Sequence, residues 1–297
     1  MPLKELTRDL CFGEGPRWHD GALWISDMHA HLVYRVDQSG TKTVIAEVPN
    51  QPSGLGWLPD GRLLIVSMID RKILVQDRGA LETWCDLSDL AKHHCNDMVV
   101  DAQGRCWVGN FGFDIHAGDA VAGTDLILVE GQGNARIVAS DLMFPNGTVI
   151  TPDGKTLIVG ESYGACLTAF DITEAGNLEN RRTWAQLSRA VPDGICLDGA
   201  GGIWVASPIS HECLRIIEGG DVTDRIKVED QAFACMLGGE DGKRLFILTA
   251  PNSSPEDCKK RQSRQSGLPR RCARASGNTM TTTSDLRLVI LSGGRFF

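Results

Sequence analysis

Short apolar runs with the length of a β-strand follow glycine-containing turns at six places along the chain. Asp-Gly and similar dipeptides are typical of the tight turns that join neighbouring strands. Recurrence of one pattern along a chain indicates repeated structural units. The six segments are HDGALWISD (19–27), PDGRLLIVS (59–67), AQGRCWVGN (102–110), PDGKTLIVG (152–160), GAGGIWVAS (199–207) and EDGKRLFIL (240–248).

The spacing of these segments predicts the architecture. Successive turn glycines are 40, 43, 50, 48 and 40 residues apart, the glycines being Gly21, Gly61, Gly104, Gly154, Gly202 and Gly242. This period is the length of one four-stranded β-propeller blade, and further strand-like runs lie between the glycines. The sequence therefore predicts an all-β fold, a six-bladed β-propeller with four-stranded blades, as a single domain over residues 1–297. A β-sandwich is the alternative all-β fold.

One residue of each repeat lies seven to nine positions before the turn glycine, just ahead of the next apolar strand. The first strand of a propeller blade lines the central channel, so equivalent residues of different blades converge on one axis. The six residues of this ring are Glu14, Ser53, Asn96, Asn146, Asp193 and Cys235.

Four residues of the ring carry carboxylate or amide oxygens, namely Glu14, Asn96, Asn146 and Asp193. A single Asn-Gly or Asp-Gly pair is most often an ordinary turn. Four oxygen donors in register across separate blades, two of them anionic, instead suit a hard cation. The sequence thus predicts one divalent metal ion in the central channel, with Ca²⁺ preferred and Mg²⁺, Mn²⁺ or Zn²⁺ as alternatives.

The composition restricts the partners of the protein. Lys and Arg number 30 against 38 Asp and Glu, for a net charge of −8, which disfavours binding to nucleic acid. No apolar run approaches the length of about 18 residues that a membrane-spanning helix needs, and the first ten residues lack the apolar stretch of a secretory signal. A cytoplasmic protein that binds a small molecule, and neither nucleic acid nor membrane, is predicted; its oligomeric state is left open.

The C-terminal part differs in composition from the rest of the chain. Residues 258–297 carry nine Lys and Arg but one Asp. Residues 258–283, which are basic and rich in Ser and Thr, are interpreted as an irregular or disordered insert in the last blade, followed by a late strand in DLRLVIL (285–291). The ten cysteines of the chain are scattered without a C-x-x-C pair, a pattern that indicates buried thiols rather than a disulfide framework or a zinc site.

Residues 160–164, GESYG, match the G-x-S-x-G pattern of a serine-hydrolase nucleophile. That chemistry requires a strand, a sharp turn and a following helix, whereas the next residues, ACLTAFDI (165–172), have the character of a strand. A serine hydrolase is therefore disfavoured. The adjacent His93 and His94 are not predicted to bind a metal together, because neighbouring side chains on an extended chain point in opposite directions.

Four segments carry a resemblance to a known family: LCFGEGPRWHDGALWISD (10–27), CNDMVVDAQGRCWVGN (95–110), FPNGTVITPDGKTLIV (144–159) and PDGICLDGAGGIWVA (192–206). In them the chain resembles the family of gluconolactonase, regucalcin (senescence marker protein) and luciferin-regenerating enzyme. The resemblance implies a six-bladed propeller with one divalent metal ion, whose ligands correspond to Glu14, Asn146 and Asp193. Asn96 corresponds to a further Asn that contacts the metal directly or through substrate or water.

One position departs from the sugar-acid lactonases of that family. They have an Arg two residues before the Asn that Asn96 matches, whereas this chain has His94. Aromatic and thioether surface nearby favours compact, weakly hydroxylated lactones over sugar lactones. The predicted substrate-binding residues are His94, Phe111, Phe113, Met143 and Phe144.

With this resemblance, the residues predict a metal-dependent lactonase, which is a carboxylic ester hydrolase. The cation would polarise the lactone carbonyl, while Asp193, as ligand and base, activates the attacking water. Asn96 would orient the carbonyl or the water. Two alternatives stay open: hydrolysis of a thiolactone or phosphotriester with the same cation, and a calcium-binding propeller without catalysis.

Overall fold

The computed structural model of the protein describes residues 3–115, 117–258, 260 and 286–291. In this part of the chain, 24 strands form six antiparallel sheets of four strands each. The predicted six-bladed β-propeller is confirmed. No helix among the described residues combines the length and the apolar character that crossing a bilayer requires.

The first three blades are continuous in sequence, and each begins with its innermost strand. The first contains β2 (Gly13–His19), β3 (Ala22–Asp27), β4 (Leu32–Val36) and β5 (Lys42–Glu47). The second contains β6 (Pro52–Trp57), β7 (Leu63–Ser67), β8 (Lys72–Asp77) and β9 (Ala80–Asp86). The third contains β10 (Cys95–Val100), β11 (Cys106–Asn110), β12 (Thr124–Gly131) and β13 (Asn134–Leu142).

The sixth blade, unlike the fourth and fifth, joins two distant parts of the chain. The fourth contains β14 (Pro145–Ile150), β15 (Thr156–Glu161), β16 (Cys166–Ile172) and β17 (Leu178–Gln186). The fifth contains β18 (Ile195–Leu197), β19 (Ile203–Ser207), β20 (Glu212–Ile216) and β21 (Val222–Lys227). The sixth contains β22 (Gln231–Gly238), β23 (Arg244–Ala250), β24 (Leu286–Leu291) and, outermost, β1 (Lys4–Leu10).

The pairing of β1 with β24 closes the ring. The two strands run antiparallel from Lys4 opposite Ile290 to Leu10 opposite Leu286. The predicted late strand over 285–291 corresponds to β24. The predicted insert, 258–283, lies outside the described residues except for 258 and 260.

Burial within a blade decreases from the inner strands to the rim. All residues of β7, LLIVS, are buried, whereas β21, VTDRIK, is almost entirely exposed. Inner strands are apolar on both faces because each sheet packs face to face against its two neighbours, as the full burial of Trp107 and Trp204 illustrates. The innermost strands contact each other in sequence around the ring, and β22 contacts β2, so their first residues encircle the channel.

Candidate active site on the propeller axis

The predicted ring residues occupy equivalent places in the structure. Glu14, Ser53, Asn96 and Asn146 are each the second residue of an innermost strand, and Asp193 lies two residues before β18. In β2, β6, β10 and β14, the pairing with the second strand of the blade is irregular at the ring residue. A β-bulge re-aims the side chain at the irregularity, which accounts for side chains that face the channel instead of following the regular alternation.

The glycine that follows the ring residue in four blades has a packing reason. A Cβ at Gly54 would lie 2.4 Å from the backbone nitrogen of Met98, and one at Gly147 would lie 2.4 Å from that of Ile195. Neighbouring innermost strands are therefore too close for any side chain here. The Asn-Gly and Asp-Gly pairs of this chain mark close approach at the axis as well as turns.

The innermost strands surround a pocket of about 270 Å³ at the end of the channel where these strands begin. Each of the six blades contributes at least one residue in or near its innermost strand to the lining; these residues include Glu14, Gln51, Asn96, Asn146, Asp193 and Phe233. The four predicted metal-binding side chains thus lie around one cavity, while their role as ligands stays a prediction. Ser53 does not line the cavity and instead donates a hydrogen bond of 3.4 Å to Oδ1 of Asn96.

Two carboxyl groups at the axis are electrostatically unfavourable as a pair. Burial, followed by the charges of Asp193 and Asp97, raises the pKa of Glu14 well above its usual range. Burial and the charge of Asp97 likewise raise the pKa of Asp193, which a hydrogen bond from Asn146 partly offsets. Among the described residues, no Lys or Arg side chain forms an ion pair with Glu14 or Asp193.

The donor set at the axis is of the kind that a hard divalent cation takes. Among the described residues, at the axis and elsewhere, no group of three or more His, Cys, Asp or Glu side chains is placed to hold a metal ion. The axis combines two such side chains, Glu14 and Asp193, with the amides of Asn96 and Asn146. Two buried carboxylates without a paired cation are costly, and a divalent cation would compensate both. The residues therefore fit such an ion.

The remaining lining of the pocket is mainly apolar and aromatic. The rings of Phe111 and Phe144 stack with centroids 4.5 Å apart, and those of Phe12 and Phe233 meet edge to face at 4.9 Å. Further apolar lining comes from Met28, Met68, Ile69 and Ile115. The oxygen donors thus lie in a cavity whose walls suit an apolar ligand.

The predicted substrate-binding residues fall into two groups. His94, Phe111 and Phe144 line the pocket. Phe113 and Met143 lie beside it: the Phe113 ring is 5.9 Å from that of Phe144, and the backbone N–H of Met143 donates to a carboxylate oxygen of Glu161 at 2.6 Å. For all five, contact with a substrate stays a prediction.

In the sixth blade the structure places a residue other than the expected Cys235 in the ring. Phe233 lines the pocket, whereas Cys235 is buried, with its Sγ 3.9 Å from that of Cys196. The distance from ring residue to turn glycine varies between blades, and Phe233 lies nine residues before Gly242 while Cys235 lies seven before it. No glycine follows either residue to distinguish them.

Several lining residues were not singled out from the sequence. His29, Met68 and Ile69 come directly or nearly directly after the second strands of the first two blades, as Phe111 does in the third. This shared position after the second strand is a signal that the repeat could have supplied. His29 lies 3.3 Å from Gln51 through Nδ1 and 3.3 Å from the carbonyl oxygen of Ser253 through Nε2.

Several known proteins are similar to this chain over most of its length. Regucalcin from Xenopus laevis is 27% identical over 266 residues, covering 86% of this chain and 89% of that protein. A 6-deoxy-6-sulfogluconolactonase from Pseudomonas putida is 27% identical over 254 residues, covering 82% and 86%. The structure of a gluconolactonase from Xanthomonas campestris superposes with a TM-score of 0.71 at 25% identity, covering 84% of this chain and 86% of that one.

The family model described as the SMP-30/gluconolactonase/LRE-like region matches residues 12–251. This range contains all the strands that contribute to the pocket, from the residue before β2 to the end of β23. The chain therefore belongs to the SMP-30/gluconolactonase/LRE-like family.

Proposed function

We propose that the protein is a metal-dependent lactonase, which hydrolyses the ester bond of a cyclic lactone to give a hydroxy acid. One observation carries the proposal: two carboxyl groups and two amides from four different blades face one pocket on the propeller axis. The family of the chain and relatives named as lactonases support it.

Glu14, Asn146 and Asp193 are the proposed ligands of the cation. Ca²⁺ is the first choice because all three supply oxygen and two supply negative charge. A bound divalent cation supplies Lewis-acid polarisation of a carbonyl group and compensates negative charge on its oxygen.

Asp193 is the proposed general base. Its carboxyl group lines the pocket together with the other proposed ligands, and a carboxylate in that place can accept a proton from a water molecule there. Asp193 accepts a proton from the water whose oxygen attacks the lactone carbonyl carbon. The same proton then goes to the ring oxygen as the bond between the carbonyl carbon and that oxygen breaks.

Asn96 is the proposed group that orients the substrate carbonyl. The Ser53 hydroxyl donates to Oδ1 of Asn96, so the amide N–H group of Asn96 is the part of the side chain that can donate to a carbonyl oxygen in the pocket. Such a donor acts most strongly on the oxygen as it gains negative charge.

The apolar walls support a substrate with few hydroxyl groups. Stacked Phe111 and Phe144 on one side, and Phe12 with Phe233, offer no partner for sugar hydroxyls. His94 stands where sugar-acid lactonases of the family have Arg. We propose alkyl- or aryl-substituted five- and six-membered lactones as the substrate class.

The test is hydrolysis of a panel of alkyl, aryl and sugar lactones, by the protein freed of divalent cations and by the protein with added Ca²⁺. We expect hydrolysis that needs the cation and that Glu14→Gln reduces at least about 100-fold. Glu47→Gln, which changes an exposed glutamate on β5, is the matched control and should retain full activity.

Three other results would redirect the proposal. Faster turnover of thiolactones or phosphotriesters would favour the alternative substrates. Ca²⁺ binding in calorimetry without hydrolysis of any substrate would favour a calcium-binding propeller. Lactone hydrolysis that neither a chelator nor Glu14→Gln affects would contradict the assignment of the cation to this pocket.

A further inference from the structure

The hydroxyl group of Ser162 joins two parts of the candidate site. Its Oγ lies 3.2 Å from Nδ2 of Asn146 and 2.7 Å from the carbonyl oxygen of Pro192. Pro192 directly precedes Asp193. Ser162 follows β15 of the fourth blade. Its side chain therefore contacts Asn146 in the same blade and the segment that leads to Asp193 in the fifth blade.

The directions of these two hydrogen bonds are fixed by chemistry. The Pro192 carbonyl oxygen can only accept, and a hydroxyl group has a single proton, so Ser162 donates to Pro192. Oγ of Ser162 must then accept from Asn146, and only the amide nitrogen of Asn146 can donate. This removes the usual ambiguity between the nitrogen and oxygen of an asparagine side chain.

Ser162 therefore orients the Asn146 amide. With Nδ2 turned to Ser162, Oδ1 is the atom left for a cation in the pocket that Asn146 lines. The opposite rotamer would present N–H groups, which repel a cation. The bond to Pro192 also holds the backbone next to Asp193, whose carboxyl group accepts the second hydrogen bond of the Asn146 amide nitrogen. The Ser162 hydroxyl group therefore supports both proposed ligands.

Comparison of Ser162 with the equivalent residues of other blades supports a role that is specific to the fourth blade. The residue directly after the second strand is Met28, Met68, Phe111, Ser162 or Pro208 in the first five blades. Ser162 alone among these five can donate a hydrogen bond from its side chain.

A nucleophilic role for Ser162 does not fit these contacts. Its proton is donated to a carbonyl oxygen, and in the described part of the chain its side chain contacts no histidine or carboxylate that could act as base. The residues after it form strand β16, whereas a nucleophile elbow is followed by a helix.

We propose that Ser162 is a positioning residue that holds Oδ1 of Asn146 and the Asp193 segment in the geometry for binding a cation. This inference rests on the proposed function for the identity of the ligands. It assigns a role to the GESYG segment other than that of a hydrolase nucleophile. Residues that orient metal ligands typically change cation affinity by about 10- to 100-fold when they are replaced.

The test compares Ca²⁺ affinity, measured by titration calorimetry without substrate, for the wild type, Ser162→Ala and Ser162→Thr. We expect the dissociation constant to rise about 10-fold in Ser162→Ala and to stay near the wild-type value in Ser162→Thr, which keeps the hydroxyl group. Saturating Ca²⁺ should return the kcat of Ser162→Ala to within about 3-fold of wild type.

Ser39→Ala is the matched control. The Ser39 hydroxyl also bridges two groups, Asp37 at 2.6 Å and Thr41 at 2.9 Å, but in an exposed turn of the first blade. Its removal should leave Ca²⁺ affinity unchanged. The melting temperature of each variant in chelator separates loss of affinity from loss of folding.

Three other results would contradict different roles assigned to this site. Unchanged Ca²⁺ affinity in Ser162→Ala, with or without a lower melting temperature, overturns the positioning role alone. Activity lost in Ser162→Ala that saturating Ca²⁺ does not restore, together with covalent labelling of wild-type Ser162 by a sulfonyl fluoride, would establish a nucleophile instead. Absence of Ca²⁺ binding by the wild type would overturn the cation site itself, and this inference with it.

Discussion

The backbone N–H of Phe12 donates a hydrogen bond of 2.8 Å to Oδ1 of Asp27. Asp27 is the buried last residue of β3, and its Oδ2 also accepts from the backbone N–H of Cys11 at 2.9 Å. The segment held in this way enters β2 and leads directly to Glu14. A structural carboxylate at the end of a second strand thus sets the path of the chain into the site.

The fourth blade has an equivalent hydrogen bond from the backbone to a buried carboxylate. Glu161, the buried last residue of β15, accepts from the backbone N–H of Met143 at 2.6 Å. The segment after Met143 enters β14 and leads to Asn146. In both blades the pocket side chain is placed by a buried acceptor that does not itself line the pocket.

Replacing Asp27 with alanine should destabilise the fold. It leaves the buried N–H groups of Cys11 and Phe12 without their acceptor, and each such group costs about 1–3 kcal/mol of the free energy of unfolding. Asp27→Asn keeps one acceptor oxygen and should cost less than half as much. Urea denaturation at pH 7 measures both, and an alanine variant within about 0.5 kcal/mol of wild type would contradict this role.

Replacing Glu14 with glutamine should stabilise the protein in the absence of divalent cations, in a pH-dependent way. Burial raises the pKa of Glu14 in the folded state, so the folded protein binds this proton more tightly than the unfolded chain does. The contribution of Glu14 to stability is therefore most favourable at low pH and is lost as the pH rises through the folded-state pKa.

The glutamine variant lacks this penalty. In chelator we expect Glu14→Gln to exceed the wild type by about 1 kcal/mol or more in free energy of unfolding at pH 8, and to equal it near pH 4. Excess Ca²⁺ should narrow this difference at pH 8, because the protein that binds the ion more tightly gains more stability from it. A variant that is less stable than wild type in chelator at pH 8 would contradict the unfavourable pairing of carboxyl groups at the axis.

Asp193→Asn should separate catalysis from cation binding. The amide keeps one ligating oxygen but cannot accept a proton from water, so we expect kcat to fall about 100-fold or more while the Ca²⁺ dissociation constant rises less than about 10-fold. Asp89→Asn, at an exposed position, is the matched control. Near-normal kcat of Asp193→Asn at saturating Ca²⁺ would show that another group is the base.

Substrate preference should follow the apolar walls and His94. We expect kcat/KM for an alkyl- or aryl-substituted lactone to exceed that for gluconolactone by about 10-fold or more, after correction for spontaneous hydrolysis. His94→Arg should narrow this ratio, because a guanidinium group donates several hydrogen bonds to hydroxyl groups and a neutral imidazole donates one. A ratio below one in the wild type would mean that other residues bind the sugar hydroxyls.

The repeat of turn glycines was sufficient to predict the number of blades and four of the six residues expected at the axis. Equivalent residues of a closed ring must converge, so the approach of Glu14, Asn146 and Asp193 to one pocket follows from spacing alone. The error at Cys235 arose where the sixth blade lacks both an oxygen donor and a following glycine. There, only the pairing of β22 with β23 distinguishes Cys235 from Phe233.

Contacts outside the repeat were beyond prediction. The bond from Ser162 to Pro192 joins two blades, and its geometry depends on how the sheets pack rather than on any pattern along one strand. Pairing of β1 with β24 likewise depends on residues far apart in sequence. Local patterns report the period and face of a strand, and they carry little information on which distant segment it meets.

The pairing of β1 with β24 determines when the ring of blades can close during synthesis of the chain. Residues 4–10 are made early, but the strand that covers them, 286–291, is made last among the described strands. Until then β1 presents an unpaired edge, which invites association with other chains. The ring can close only after translation has passed residue 291, so a ribosome-bound chain that ends before β24 would carry all four axial side chains without a complete enclosure around them.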